Sequence, residues 1–142
     1  MRTLILVALT VAVVPSIVEG LLKQGVAVKG KLVCGHLPST DAKVRIVDLD
    51  TGPDPDDTLD EKIVDADGSF TLSGTTHELT PIDPEFYIWH KCKDEKPCHR
   101  KLKFKIPKKY IHNGNVTADK WVDMGVLNLE GVFDKEEREC IK

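Results

Sequence analysis

The chain has 142 residues, a formal net charge of -3 and 30% charged residues, enough for one domain with a real core and too short for two. Its longest apolar run, residues 4–14, falls well short of the roughly 20 residues a bilayer-spanning helix needs. The small total charge hides two opposed blocks. Residues 48–67 carry nine acids against Lys62 alone, and residues 91–109 carry nine bases against Asp94 and Glu95.

Met1-Arg2 gives a short positive start, the apolar run follows, Pro15 breaks it, and Val18-Glu19-Gly20 supplies the small residues a signal peptidase reads. That order predicts a secretory signal peptide over residues 1–20 and a single domain over residues 21–142, hence a secreted, extracellular protein.

The rest reads as short extended segments separated by turns. Val26, Val28, Leu32 and Cys34 share one face of the first segment, with Lys29 and Lys31 opposite. Val44 and Ile46 alternate with Lys43 and Arg45. Asp67-Gly68, between Ile63-Val64 and Phe70-Thr71-Leu72, predicts a hairpin, because Gly accepts the positive φ of such turns. The stretch 73–79 is the one helical candidate, with Ser73 or Thr75 as cap and Glu78 completing a capping box. Phe86, Ile88 and His90 alternate with Tyr87 and Trp89, so this strand is covered on both faces or leaves the two outer rings partly exposed. Lys101 to Ile106 has a strict period of two, three lysines on one face and Leu102, Phe104 and Ile106 on the other. Pro107 ends it, and a last apolar strand runs from Trp121 to Leu129. About seven short strands and few helix signals predict an all-β, two-sheet antiparallel sandwich with one short helical turn at most.

Cys34, Cys92, Cys98 and Cys140 make an even count in a small exported domain, which predicts two disulfides with three connectivities open. Cys92 and Cys98 bracket a short polar loop, which favours pairing them with each other and leaves Cys34 with Cys140.

Several blocks match a known family in order and spacing. They are Val-Lys-Gly-Lys-Leu-Val-Cys (28–34), Val-Arg-Ile-Val-Asp-Leu-Asp (44–50), Asp-Ala-Asp-Gly-Ser-Phe (65–70), Tyr-Ile-Trp-His-Lys-Cys (87–92), Pro-Cys-His-Arg-Lys (97–101), Ile-Pro-Lys-Lys-Tyr (106–110) and Glu-Glu-Arg-Glu-Cys (136–140). On these the chain resembles the nematode transthyretin-like family over essentially all of residues 21–142. The resemblance implies a transthyretin-like sandwich, extracellular, with these cysteines in disulfides. It also implies roles in signalling or in recognition of dying cells, without one settled ligand.

The wider fold includes 5-hydroxyisourate hydrolase and the hormone carrier transthyretin, so the alternative is a small hydrophobic-ligand carrier or hydrolase built on an oligomer channel. Against it, the hydrolase's Tyr-Arg-Gly-Ser tail is missing and His36, His77, His90, His99 and His112 form no local base–nucleophile motif. No enzymatic activity and no cofactor are expected. His90, Cys92, Cys98 and His99 have zinc-ligand chemistry, but a disulfide would consume both sulfurs. The acidic run through Asp48, Asp50, Asp54, Asp56 and Asp57 invites Ca²⁺, yet lacks EF-hand spacing and a closing Glu, and reads as a solvated loop. The basic run of Arg100, Lys101, Lys103, Lys105, Lys108 and Lys109 is the candidate site for an anionic partner. A phospholipid head group or sulfated glycan would relieve its self-repulsion, although an edge strand also carries lysines to block aggregation. Asn115-Val116-Thr117 is an N-glycosylation sequon marking an exposed loop. The expected partner is an extracellular protein receptor or an anionic phospholipid or glycan, with peripheral membrane contact at the cell surface and no nucleic acid. The expected state is a monomer or weak homo-oligomer.

Overall fold

The computed structural model describes residues 22–50 and 56–141. The signal peptide with its cleavage after Gly20, and Asp54 of the acidic run, lie outside the described residues. Seven long strands form the frame: β1 (Lys23–Cys34), β3 (Lys43–Asp48), β4 (Asp57–Ile63), β5 (Ser69–His77), β6 (Pro84–His90), β7 (His99–Lys105) and β9 (Val122–Asn128). Three short strands complete it: β2 (Leu37–Pro38), β8 (His112–Asn113) and β10 (Glu137–Glu139).

The first sheet is built on β1, with β5 and then β2 along one flank and β8 and then β9 along the other. The second sheet runs β10-β7-β6-β3-β4. Pairing is antiparallel throughout except for β9, which lies parallel to β1 because it returns to that sheet by a long connection rather than a tight turn.

The period-two reading of the sequence holds where the core sits. Val26, Val28 and Leu32 from β1 are fully buried against Val44 and Ile46 from β3 and Phe86 and Ile88 from β6. Phe70 of β5 stacks on Phe86 across the two layers with ring centroids 5.2 Å apart. Truncating one such residue to Ala costs about 2–5 kcal/mol through lost transfer energy and a cavity.

Two local expectations fail. The Asp67-Gly68 turn forms, with Asp65 N–H donating to Ser69 O at 2.8 Å and Gly68 at φ +84°. It does not join a hairpin, because β4 pairs with β3 and β5 pairs with β1 in the opposite sheet. Leu32 N–H donates to Gly68 O at 2.8 Å, and a Cβ on Gly68 would sit 2.2 Å from Leu32 O. The glycine therefore serves a sheet-to-sheet corner. The helical turn over 73–79 is instead the continuation of β5 as far as His77. Paired registers from Ala27↔Ser73 to Lys23↔His77 override the capping signal, and Ser73 N–H finds its acceptor in Asp60 Oδ2 at 2.9 Å. Beside it β4 crosses so closely that a Cβ on Gly74 would lie 2.4 Å from Leu59 O.

The disulfides are Cys34–Cys92 and Cys98–Cys140, which corrects the pairing favoured by loop length. Cys34 ends β1 and Cys92 follows β6, so the first bridge ties one sheet to the other with Cα atoms 5.7 Å apart. β10 lies antiparallel on β7 with Glu139 opposite His99, which carries Cys140 to Cys98 at a Cα separation of 4.3 Å. Strand adjacency, invisible in the spacing of cysteines, decides the pairing.

Candidate functional site

The alternation of β7 projects Lys101, Lys103 and Lys105 from the outer face of the second sheet, as the sequence predicts. What the sequence does not reveal is what meets them. Lys101 Nζ pairs with Glu139 at 2.7 Å and Lys103 Nζ with Glu137 at 2.7 Å, both from β10. These contacts raise the pKa of Lys103 through its bond to Glu137, and lower that of Glu139 through its bond to Lys101.

Arg100 points the other way. It grips Glu136 with two bonds and donates to the carbonyls of Leu129 at 3.1 Å and Gly131 at 2.7 Å. Three of the six predicted anion-binding residues are thus neutralised within the fold, and by residues 136–139 rather than by the described part of the acidic run 48–67. From that run, Glu61 pairs instead with Lys43 and Arg45.

The outer face of the second sheet also covers Tyr87 and Trp89, which are 7% and 1% exposed. Arg45 lies 4.6 Å from the centre of the Trp89 ring, and Lys101 lies 4.4 Å from that of Tyr87. Both faces of β6 are therefore covered, the outer one by cations rather than by a third layer.

Lys105, Lys108 and Lys109 differ. All three are exposed, and among the described residues none has an ion-pair partner within 4.0 Å. They lie at the end of the sandwich opposite the disulfides. Lys108 lines a cleft of about 340 Å³ with Gln24, Leu79, Thr80, Pro81 and Ile111. Leu79, 86% exposed, is a large apolar side chain lining the same cleft as Lys108. Gln24 is 4% exposed and fixes the cleft wall, donating to Thr80 O at 2.8 Å and accepting from Ile82 N–H at 2.9 Å.

An adjoining cleft of about 250 Å³ brings Glu78 to Asp48 and Asp50, with carboxylate oxygens within 4.8 Å of one another. Glu78, 28 residues beyond Asp50 and on the β5–β6 connection, is the closing acid that the local spacing lacked. Burial raises the pKa of Asp48, and its Oδ1 accepts from Asp83 N–H at 2.9 Å. Three carboxylates are oxygen donors of the kind Ca²⁺ takes, short of its usual six to eight ligands.

The zinc candidates are dispersed, with all four sulfurs in disulfides. His90 is 1% exposed, and its Nδ1 accepts from Cys92 N–H at 3.0 Å. Burial and then the neighbouring Arg100 push it down to about 4, so it is neutral at physiological pH. Asn115 is exposed, with Oδ1 accepting from Lys23 Nζ at 2.6 Å. Val116 packs over Gly25, and Thr117 is exposed on the far side.

Comparison with known proteins agrees with this architecture. A family model described as "TTR-52: Transthyretin-like family" matches residues 29–107. Transthyretin-like protein 46 of Caenorhabditis elegans is 55% identical over 120 residues, covering 83% of this chain and 66% of that protein. The chain therefore spans just under two thirds of that relative. Transthyretin-like protein 33 is 40% identical, covering 87% of this chain and 86% of that protein, and transthyretin-like protein 5 is 40% identical, covering 83% and 85%. Both are from the same organism.

Proposed function

This chain belongs to the transthyretin-like family, and from that premise we propose that it is a secreted, non-catalytic binding protein that meets an anionic partner at the end of the sandwich opposite its disulfides. Family membership points to binding rather than catalysis. Two disulfides suit an oxidising compartment, and residues 1–20 have the charge and apolar pattern of an export signal.

The observation that carries the reading is the contrast along the basic run. Arg100, Lys101 and Lys103 are paired by internal acids, while Lys105, Lys108 and Lys109 are exposed and Lys108 lines the Leu79 cleft. Unpaired cations next to an exposed apolar side chain suit a phospholipid head group, a sulfated glycan, or a receptor that carries such groups. Each lysine near an anionic membrane surface contributes about 1 kcal/mol.

The test is binding to phosphatidylserine-containing vesicles and to a heparin-like glycan across a salt series. Lys105→Glu/Lys108→Glu/Lys109→Glu is expected to weaken binding about 100-fold or more. Lys101→Glu/Lys103→Glu is expected to change it little. Equal loss in both variants, or no binding by the wild type at low salt, rejects the assignment.

Asn115 is read as a glycan acceptor on the same grounds of export and exposure. Protein secreted from insect cells should lose mass on treatment with a peptide N-glycosidase, and Asn115→Gln should show no such loss. An unchanged mass in the wild type excludes the modification.

A further inference from the structure

The C-terminal segment touches the second sheet with alternate residues, and the two alternations do different work. Glu137, Glu139 and Ile141 face the sheet. Glu137 meets Lys103 at 2.7 Å, and Glu139 meets Lys101 at 2.7 Å and accepts from Trp89 Nε1–H at 3.4 Å. Ile141 packs against the cluster of Val47, Tyr87 and Trp89. Arg138 and Cys140 serve instead as tethers, Arg138 to Asp94 at 2.8 Å and Cys140 to Cys98. Residues two apart share one face of a strand, so the side turned to the sheet reads Glu-x-Glu-x-Ile.

The backbone pairing beneath this pattern is only three residues long, Glu137↔Lys101 to Glu139↔His99. The chain leading to it is exposed, with Val132 90% accessible. Under the segment lie Tyr87, Trp89, Arg45 and Lys101, a mixture of large rings and cations of the kind that dominates binding hot spots. The outer face of an antiparallel sheet is ordinarily polar.

We infer that this basic, aromatic face is a docking surface for an acidic extended peptide of pattern Glu-x-Glu-x-aliphatic, and that residues 136–141 are a tethered cover occupying it. The incoming chain would pair with the β7 edge, and its alternate side chains would take the places of Glu137, Glu139 and Ile141, the geometry of strand addition to a sheet edge. The surface is distinct from the lysines at the opposite end and stands or falls separately from them. A cover held in cis acts at an effective concentration on the order of millimolar, so it excludes a micromolar competitor while the tether is intact.

The experiment uses the full chain and, as probe, a labelled synthetic peptide of residues 135–141 with Ser in place of Cys140. Wild type should not bind the probe at micromolar concentration. Cys98→Ser/Cys140→Ser cuts the covalent tether, and adding Glu137→Lys/Glu139→Lys repels the cover from β7. The resulting chain should bind the probe at least tenfold more tightly than wild type, with amide protection in β3 and β6 unchanged. Further addition of Lys101→Glu/Lys103→Glu should abolish that gain, and a probe with Lys at 137 and 139 should not bind.

A cover-repelled chain that keeps its protected core and ignores the probe overturns the inference. So does loss of core protection in that chain, since the segment would then be a structural strand. Dimerisation of the tether-cut chain without probe binding to the monomer would assign the face to strand exchange between copies and reject the peptide.

Discussion

At one end of the sandwich the loops are bound to each other by covalent bonds and buried charge. Cys34–Cys92 joins the sheets, Cys98–Cys140 fixes the C-terminal strand, and Arg100 ties Glu136 to two loop carbonyls. At the other end no disulfide ties the described loops, which are held by the buried Ile82, Ile106 and Ile111 and by hydrogen bonds, chiefly between Gln24 and residues 80–82 and between Asp48 and Asp83. There Lys105, Lys108 and Lys109 have no ion-pair partner among the described residues, and Leu79 stands exposed. Cross-linking is concentrated at one end of the described sandwich, and exposed lysines without an ion-pair partner at the other. The division also splits the run of six bases into three that are paired and three that are exposed.

That contrast breaks most visibly at the bridge between the sheets. Cys34→Ser/Cys92→Ser should destabilise the fold by about 4 kcal/mol, within the usual range for a native disulfide of a small secreted domain. Cys98→Ser/Cys140→Ser should cost distinctly less, since it frees only β10. Urea denaturation of the two variants compares them, and equal midpoints would contradict the different roles assigned to the bridges.

Arg100→Met should cost about 3 kcal/mol, because Glu136 and the loop carbonyls lose their donor in a half-buried site. Amide exchange should rise in residues 129–136 and stay unchanged in residues 78–84.

Acid acts on the same end. His90 is held down to about 4 in the fold against an ordinary 6.5, so the unfolded chain binds the extra proton between those values. Stability is therefore full above about pH 6.5 and is lost as pH falls toward 4, by on the order of 3 kcal/mol. His90→Leu should flatten the denaturation midpoint between pH 6.5 and 4.5. Below that window the carboxylates add their own loss, among them Asp94, held at about 2 by Arg138.

The smallest effect is expected at the open end. Gln24→Leu removes two hydrogen bonds and should cost about 2 kcal/mol, with faster exchange at Ile82 and no change at the disulfide end.

Much of the frame was legible in the sequence because burial writes a period of two into a strand. The alternations in β1, β3 and β7 identify their inner faces correctly, whereas the β6 alternation left open whether Tyr87 and Trp89 are covered, and their burial is visible only in the fold. The cysteine pairing was not legible, since it depends on β10 lying beside β7, a contact made across 36 residues from Glu137 to Lys101. The Asp67-Gly68 signal specified a turn but not which sheets its arms enter, and pairing with β1 overrode the helix cap at Ser73. The candidate site was half legible. The lysines were plain, but the acids that cancel two of them, Glu137 and Glu139, sit in a segment whose charge looked unremarkable alone. Glu78 and Gln24 carry no local motif and become part of a site only through the loop geometry.

The most direct test of the account is amide hydrogen exchange on the full chain with and without saturating phosphatidylserine vesicles at low salt. Recognition at the open end predicts new protection in residues 78–82 and 105–113, with residues 91–98 and 129–135 unchanged. Protection confined to the disulfide end, or none anywhere, would contradict it.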